Sequence, residues 1–362
     1  MNVPKHNMGE EAQPRVSVLM PAYNAGKYID ESIQSVLAQT FQDWELLIVN
    51  DGSTDDTVLR VESYDDPRIR LLNNPENLRL IKTLNRGLDH ARGELIARLD
   101  SDDNATPRRL ELQVKALDDH PEWAMVGARS NVINSEGKLL RPGEECFLPS
   151  SVNGVQFSCM LKNSFRHSAV TFRKQVVMDL GGYPSDMQDV EDYALWSMVI
   201  EKHDATNLLE VLCDYREHNE SIMAKVSAKT LEVKHEPRRH AMKTIYARCA
   251  QHLGAPKAIA DQWGEIWSQV RLPVPGERCD VNKARTMLAR LLQYRPSDEA
   301  SQADISTVSK WAYWQLFRVA RLQGDKTACV GIARDMVKDQ GVFSVFGDLT
   351  RAVLRRIKGS NG

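Results

Sequence analysis

The chain has 362 residues, 42% hydrophobic and 27% charged, with a formal net charge of −2. That balance belongs to a folded soluble protein with apolar material for two compact units, and the near-neutral charge argues against a nucleic-acid partner. Six cysteines, Cys146, Cys159, Cys213, Cys249, Cys279 and Cys329, stand far apart with no C-x-x-C pair, a spacing that fits reduced thiols in a cytoplasmic protein better than a disulfide or zinc framework.

Residues 1–14 are polar and lack an apolar h-region, so a disordered leader is expected there. From Val16 the pattern alternates. An apolar run, Val16 to Met20, stops at Pro21, and a helical stripe follows through Tyr28, Ile29, Ile33, Val36 and Leu37. Glu45 to Val49 reads as a second buried strand, ending in the turn Asn50-Asp51-Gly52-Ser53. Then come a helix over 55–64, a strand over 68–72, a helix over 80–91, a strand over 94–99 and a helix opening at Pro107. This rhythm predicts a mostly parallel sheet covered by helices, with ligands outside the carboxyl ends of the strands. The polar clusters fall at those ends: Pro21-Ala22-Tyr23-Asn24, Asn50-Asp51-Gly52-Ser53 and Asp100-Ser101-Asp102-Asp103. Farther on, a helix near 151–161, a strand at 168–172, a helix near 190–202 and strands at 207–212 and around Tyr215 are expected. Beyond about 228 the pattern is helical throughout. The expected domains are therefore 15–225, an α/β catalytic domain, and 226–362, an all-helical region. No run approaches the ~18 consecutive apolar residues of a membrane span.

Asp100-Ser101-Asp102-Asp103 places three acids in four residues just past a buried strand. In extended chain, residues two apart face the same way, so Asp100 and Asp102 converge. A hard cation such as Mg²⁺ or Mn²⁺, completed by diphosphate oxygens and water, suits them. By itself the cluster reads equally well as an acidic turn before the next helix.

The ordered set changes that. Val16 to Asn24, Val49 to Asp55, Asn85-Arg86-Gly87, Ala97 to Asp103, Arg166-His167-Ser168, Gly181-Gly182-Tyr183, Glu191 to Trp196 and Tyr215-Arg216-Glu217-His218 together resemble the family 2 glycosyltransferases, which have the GT-A fold. The resemblance covers roughly residues 15–222. It implies an inverting transferase that moves a sugar from a nucleotide-sugar donor to a hydroxyl of a glycan or lipid-linked acceptor, in cell-surface polysaccharide synthesis. Carried over by position, it implies that Tyr23 packs on the nucleobase, with Pro21 and Ala22 lining that pocket. Asp51 accepts a hydrogen bond from the base, which favours UDP, and Arg79 lies near the nucleotide. At Leu78-Arg79-Leu80 this chain departs from the family's common Gly-Leu pair. Asp100 contacts the ribose or the metal, Ser101 belongs to the nucleotide site, and Asp102 is the principal metal ligand. Asp192 is the general base, with Glu191 beside it in the catalytic set. Read from the residues themselves, Asp189, Glu191 and Asp192 stand at a helix start, and Asp189 is the candidate cap. His167, Arg216 and His218 are candidate diphosphate or acceptor contacts.

Alternatives in other classes are thinner. No G-x-G-x-x-G follows the first strand and no P-loop is present, which argues against dinucleotide oxidoreductases and NTPases. A non-catalytic nucleotide-sugar-binding protein keeps the same motifs. The last apolar and basic stretch, 342–358, reads as a terminal core helix, or as a helix lying in an anionic membrane interface.

Overall fold

The computed structural model describes residues 13–145, 147–219, 236–272 and 277–340. The chain divides into two compact units. The first draws on 1–147, 165–185 and 202–218; the second draws on 148–164, 186–201 and 219–362. The boundary expected near 225 is thus crossed by two excursions of the chain.

The first unit is built on one sheet. β1 (Val16–Ala22) lies parallel between β2 (Trp44–Asn50) and β4 (Leu95–Arg98), and β2 pairs in parallel with β3 (Ile69–Asn73). Every residue of β1 and β2 is buried, as continuous apolar runs demand of central parallel strands covered on both faces. The helices between them follow from spacing. α1 (Ile29–Leu37) buries Ile29, Ile33 and Val36, and α3 (Leu80–His90) buries Ile81, Leu84 and Leu88; each such side chain contributes roughly 1.5–3 kcal/mol. α2 (Thr57–Glu62) is a short connector.

Past β4 the sheet changes direction. β8 (Thr171–Arg173) is antiparallel to both β4 and β6 (Trp123–Ile133), and β9 (Asp204–Arg216) runs parallel to β6. β5 (Asn104–Ala105) caps the β9 edge, and β7 (Leu139–Arg141) folds back on β6. The order is β3-β2-β1-β4-β8-β6-β9-β5. The reversal of strand order beside β1 is where a crevice opens at the carboxyl ends in sheets of this type.

β6 had no clear sequence signal because Gly127 interrupts it. The glycine is required: a Cβ there would stand 2.1 Å from Asn207 Oδ1 and 2.8 Å from Phe165 Cδ1. The expected two pieces of β9 are one strand, broken in register opposite Arg129. α4 (Arg109–Asp119) starts two residues after Pro107, whose carbonyl instead accepts from Thr40 N at 2.8 Å.

The second unit holds α5 (Val152–Cys159), α7 (Glu191–Lys202, to its penultimate residue) and the helices α8 (Glu236–His252), α9 (Lys257–Arg271), α10 (Val281–Leu291), α11 (Glu299–Leu322) and α12 (Lys326–Gln340); α6 (Lys174–Asp179) belongs to the first. Trp263 and Trp267 stack at 4.7 Å and donate to the carbonyls of Met160 and Leu161. Asp304 Oδ2 accepts from the amides of Ser150 and Ser151, both at 2.9 Å. These bonds explain why segment 148–164 folds with the helices. The leader to residue 12 and the expected helix over 343–357 lie outside the described residues.

Gly87 sits where α3 meets the sheet, and a Cβ there would stand 2.3 Å from Leu19 Cδ1. Overpacking costs about 1–3 kcal/mol and exceeds the helix-propensity gain of up to about 1 kcal/mol. Gly87→Ala is expected to lose about 1–2 kcal/mol of stability in denaturant melts; an unchanged midpoint would refute this packing.

Candidate active site

The carboxyl ends of β1, β2 and β4 carry the predicted clusters, and hydrogen bonds tie the first two together. At the end of β1, Pro21 and Ala22 are buried while Tyr23 presents its ring, 51% exposed. Asn24, in left-handed backbone at φ +50°, locks this loop to the next. Its amide donates to Ser53 Oγ at 2.9 Å and its Oδ1 accepts from Thr54 N at 2.8 Å.

Asp51, 5% exposed, holds a third loop in place. Its Oδ1 accepts from Asn74 Nδ2 (2.7 Å) and Leu78 N (2.8 Å), and its Oδ2 accepts from Arg79 N (3.0 Å). A carboxylate offers about four acceptor positions, so one remains on Oδ2. The bond to Arg79 N has a backbone consequence. Arg79 stands at φ +69°, ψ 161°, a region essentially confined to glycine that costs other residues about 1–3 kcal/mol. The departure from the family's glycine at this place therefore loads strain onto the loop, with an exposed arginine at its tip.

Past β4, Asp100, Asp102 and Asp103 bring ligand oxygens within 4.8 Å of one another. Buried cations hold this loop. Arg98, 1% exposed, sets Nη2 2.5 Å from Asp100 Oδ1, and Ser168 Oγ donates to Asp100 Oδ2 at 2.6 Å. Burial raises the pKa of Asp100, but the Arg98 guanidinium outweighs it and keeps the carboxyl below its ordinary value. Asp103 is the reverse case. Burial first, then the Asp102 and Asp100 carboxylates, push it well above the ordinary aspartate range. Its Oδ1 accepts from Arg216 N at 2.7 Å, while its buried Oδ2 has no donor in good hydrogen-bond geometry among the described residues, Ser168 Oγ being turned to Asp100. An all-oxygen set with mutual repulsion and one unsatisfied buried oxygen fits a hard divalent cation. Ser101, between them, is half-buried.

Arg216 has a different place from a diphosphate contact. Its side chain is fully buried, with Nε donating to Asp102 O at 2.9 Å, Nη2 to Glu31 Oε2 and Nη1 toward the carbonyls of Asn134 and Ser135. It also lies 4.7 Å over the Tyr28 ring. These donors hold the acidic loop from behind. His218 Nε2 donates to Asp102 Oδ2 at 2.8 Å and so orients that carboxylate. His167 Nε2 lies 2.9 Å from Tyr183 Oη. Burial, reinforced by Arg98, holds the His167 pKa well below its ordinary value, so at neutral pH it offers a hydrogen bond and no charge. Tyr183 is itself fixed by Asn85, which donates to its carbonyl and accepts from its amide.

Asp192 and Glu191 open α7 in the second unit. Asp192 Oδ1 accepts from Tyr193 N at 2.6 Å and Oδ2 from Asn163 Nδ2 at 2.9 Å. The expected cap, Asp189, precedes the helix in left-handed backbone at φ +66°; the first-turn amide is met by Asp192 itself. Glu191 is 8% exposed, whereas Asp192 is half-buried.

Sequence reasoning missed Arg98, Ser168, Tyr28 and Asn74. Arg98 was the one with a signal, as a charge within an apolar strand. Replacing Arg216 by Met is expected to destabilise the protein by about 3–5 kcal/mol, since it leaves buried acceptors unpaired; thermal melting checks this. A loss below about 1 kcal/mol would mean the acidic loop stands without its clamp. Arg79→Gly and Arg79→Ala both remove the guanidinium, but only glycine relieves the backbone. The glycine variant is expected to be more stable than the alanine variant by about 1 kcal/mol or more, and equal melting points would dismiss the strain.

Comparison with known proteins bears on the family and the fold. The family model described as Glycosyl transferase family 2 matches residues 17–178. EpsE of Bacillus subtilis is 36% identical over 215 residues, 58% of this chain and 75% of that protein. The Escherichia coli UDP-Glc:alpha-D-GlcNAc-diphosphoundecaprenol beta-1,3-glucosyltransferase WfgD is 31% identical over 202 residues, 55% of this chain and 74% of its own length. A crystal structure of S. aureus TarS 1-349 in complex with UDP-GlcNAc superposes with a TM-score of 0.57 at 17% identity, covering 89% of this chain and 92% of that one. It establishes likeness of fold, a GT-A arrangement followed by helices. By sequence and fold together, this chain belongs to glycosyl transferase family 2 and is a glycosyltransferase.

Proposed function

We propose that the chain transfers a sugar from a UDP-sugar to a hydroxyl of a glycan or lipid-linked acceptor, with inversion, in the cytoplasmic stage of cell-surface polysaccharide assembly. The observation that carries this reading is the juxtaposition, at one end of the sheet, of the acidic cluster Asp100-Asp102-Asp103 with the loop organised by Asp51. The name of the WfgD relative, with its UDP-sugar donor and lipid diphosphate acceptor, supports it. The described cysteines Cys159, Cys213, Cys249, Cys279 and Cys329 are free thiols, which suits a reducing compartment.

In this reading Tyr23 packs its exposed ring on the uracil, between the edges of Pro21 and Ala22. The remaining acceptor position on Asp51 Oδ2 receives the uracil N3–H, and Arg79 reaches the nucleotide from its strained loop. Asp100 and Ser101 contact the ribose. Asp102 holds a divalent cation, Mn²⁺ or Mg²⁺, with Asp103 and Asp100 as neighbouring oxygens; such an ion supplies charge neutralisation for a departing diphosphate. His218 keeps Asp102 turned toward that position. His167 offers a neutral hydrogen bond at the diphosphate side. Asp192 takes the proton from the acceptor hydroxyl, and Glu191 supports it. The first-turn position alone makes a carboxylate a weak base, so Asp192 relies on the exclusion of water by bound substrates. It keeps lone pairs beyond those used by Tyr193 N and Asn163 Nδ2.

Calorimetry with UDP, GDP and dTDP, with and without Mn²⁺, tests the donor side. UDP is expected to bind best and to need the metal, and Asp102→Asn is expected to weaken binding by tenfold or more, about 1.4 kcal/mol. Preference for GDP would overturn the role of Asp51, and no nucleotide binding would overturn the donor site. Asp192→Asn should bind UDP as wild type but turn over at least ~100-fold slower. Wild-type turnover by that variant removes Asp192 as the base.

A further inference from the structure

We propose that the outer face of α11 is a docking surface for an anionic lipid bilayer. Residues 305–322 contain three cations, Lys310, Arg318 and Arg321, and no carboxylate. Among the described residues none of the three has an ion-pair partner. Elsewhere in the same unit, by contrast, Arg239, Lys243, Lys257 and Arg285 pair with Glu277, Glu265, Asp261 and Asp335. Between the free cations stand Trp314 and Phe317, half-buried and in edge contact at 5.5 Å. Lys310, Trp314, Phe317, Arg318 and Arg321 follow the spacing i, i+4, i+7, i+8 and i+11, which puts them on one stripe of the helix. At its end Leu322 is 75% exposed.

The core-facing residues of α11, among them Ile305, Val308, Ala312, Leu316 and Val319, are buried on the opposite side. On the outer stripe Arg318 and Arg321 are exposed, while Lys310, Trp314 and Phe317 are half-buried. Tryptophan and phenylalanine between unpaired arginines suit the boundary between head groups and acyl chains, where the rings leave water and the cations meet lipid phosphates. Charge selects this occupant over two others. Residues 341–362 carry Arg351, Arg355, Arg356 and Lys358 against one acid, Asp348, so that segment would meet like charge. A second copy using the same face would meet its own cations across a two-fold axis. No described helix is long and apolar enough to cross a membrane, so α11 would lie on the bilayer. For an enzyme with a lipid-linked acceptor, as proposed above, this would confine the search for substrate to two dimensions. The surface itself is argued independently of that reading.

The test is co-sedimentation of the full chain with vesicles of phosphatidylcholine alone or with about a third phosphatidylglycerol, in low and high salt. Wild type is expected to pellet with the anionic vesicles only, and to be released by salt. Arg318→Glu/Arg321→Glu is expected to reduce partitioning roughly 30-fold or more, at about fivefold per basic residue lost. Arg355→Glu/Arg356→Glu is expected to keep most of it. Trp314→Phe, which leaves the charges alone, should remove a component of tryptophan fluorescence that brominated lipid quenches. The proposal is overturned if the α11 pair sediments as wild type does, if wild type binds neither vesicle, or if Trp314→Phe leaves the quenching unchanged. UDP binding measured on the same proteins separates the outcomes. Lost sedimentation with retained UDP affinity belongs to the surface, and absent UDP affinity in wild type belongs to the donor site.

Discussion

Holding three carboxylates together in four residues is the constraint on which the first unit depends. Unassisted, Asp100, Asp102 and Asp103 would repel one another and push the loop into water. Two buried arginines prevent this. Arg98 reaches up from inside the sheet to Asp100 with its guanidinium, and Arg216 closes from β9, its backbone amide donating to the Asp103 carboxylate and its Nε to the Asp102 carbonyl. The Arg98 guanidinium is itself buried, so loss of Asp100 would leave its charge without an ion-pair partner there. A second buried arginine layer supports the first: Arg109 donates to the carbonyls of Arg98 and Val170, and burial lowers its own pKa to about 10. The compensation is incomplete by design of the loop. Asp103 keeps a raised pKa under burial and the charges of Asp102 and Asp100, which is why the proposed divalent cation is assigned to this loop.

The loop at the end of β2 obeys a different rule, in which one acid organises backbone. Asp51 spends three acceptor positions on Asn74, Leu78 and Arg79. This gathers the chain after β3 against the end of β2 and forces Arg79 into a glycine conformation. Strain at an exposed residue persists only where the surroundings over-determine it. Here the Asp51 and Asn77 acceptors both hold the Arg79 amide. The same interaction thus shapes the loop and displays a cation at its tip.

In the second unit, the excursions 148–164 and 186–201 are drawn in by polar bonds as much as by apolar area. Indole N–H groups of Trp263 and Trp267 finish the carbonyls at the end of α5, and Tyr193 Oη donates to Cys159 O. Buried carbonyls left without these donors would cost about 1–3 kcal/mol each. That cost explains why the catalytic candidate Asp192 travels with the helical unit although the sequence places it between strands of the sheet.

The sequence by itself determined the central strands, the helices between them and the order of the polar clusters. Those are local signals: apolar runs for β1 and β2, a repeat of three and four for α1 and α3, and acids or turn formers at strand ends. It also determined the family, because the motifs follow one another in a specific order. Tertiary structure decided the rest. Gly127 hid β6, since a residue chosen for close approach to Asn207 carries no strand propensity. Pro107 promised a helix start, yet its carbonyl was taken by Thr40 and the helix began at Arg109. Arg216 read as a phosphate contact, but burial and four protein acceptors set it behind the acidic loop. Ser168 became a partner of Asp100 because β8 pairs with β4, bringing together residues 68 apart in sequence. Periodicity reports which way a side chain faces along its own element; which charge it will meet there depends on elements that arrive from elsewhere in the chain.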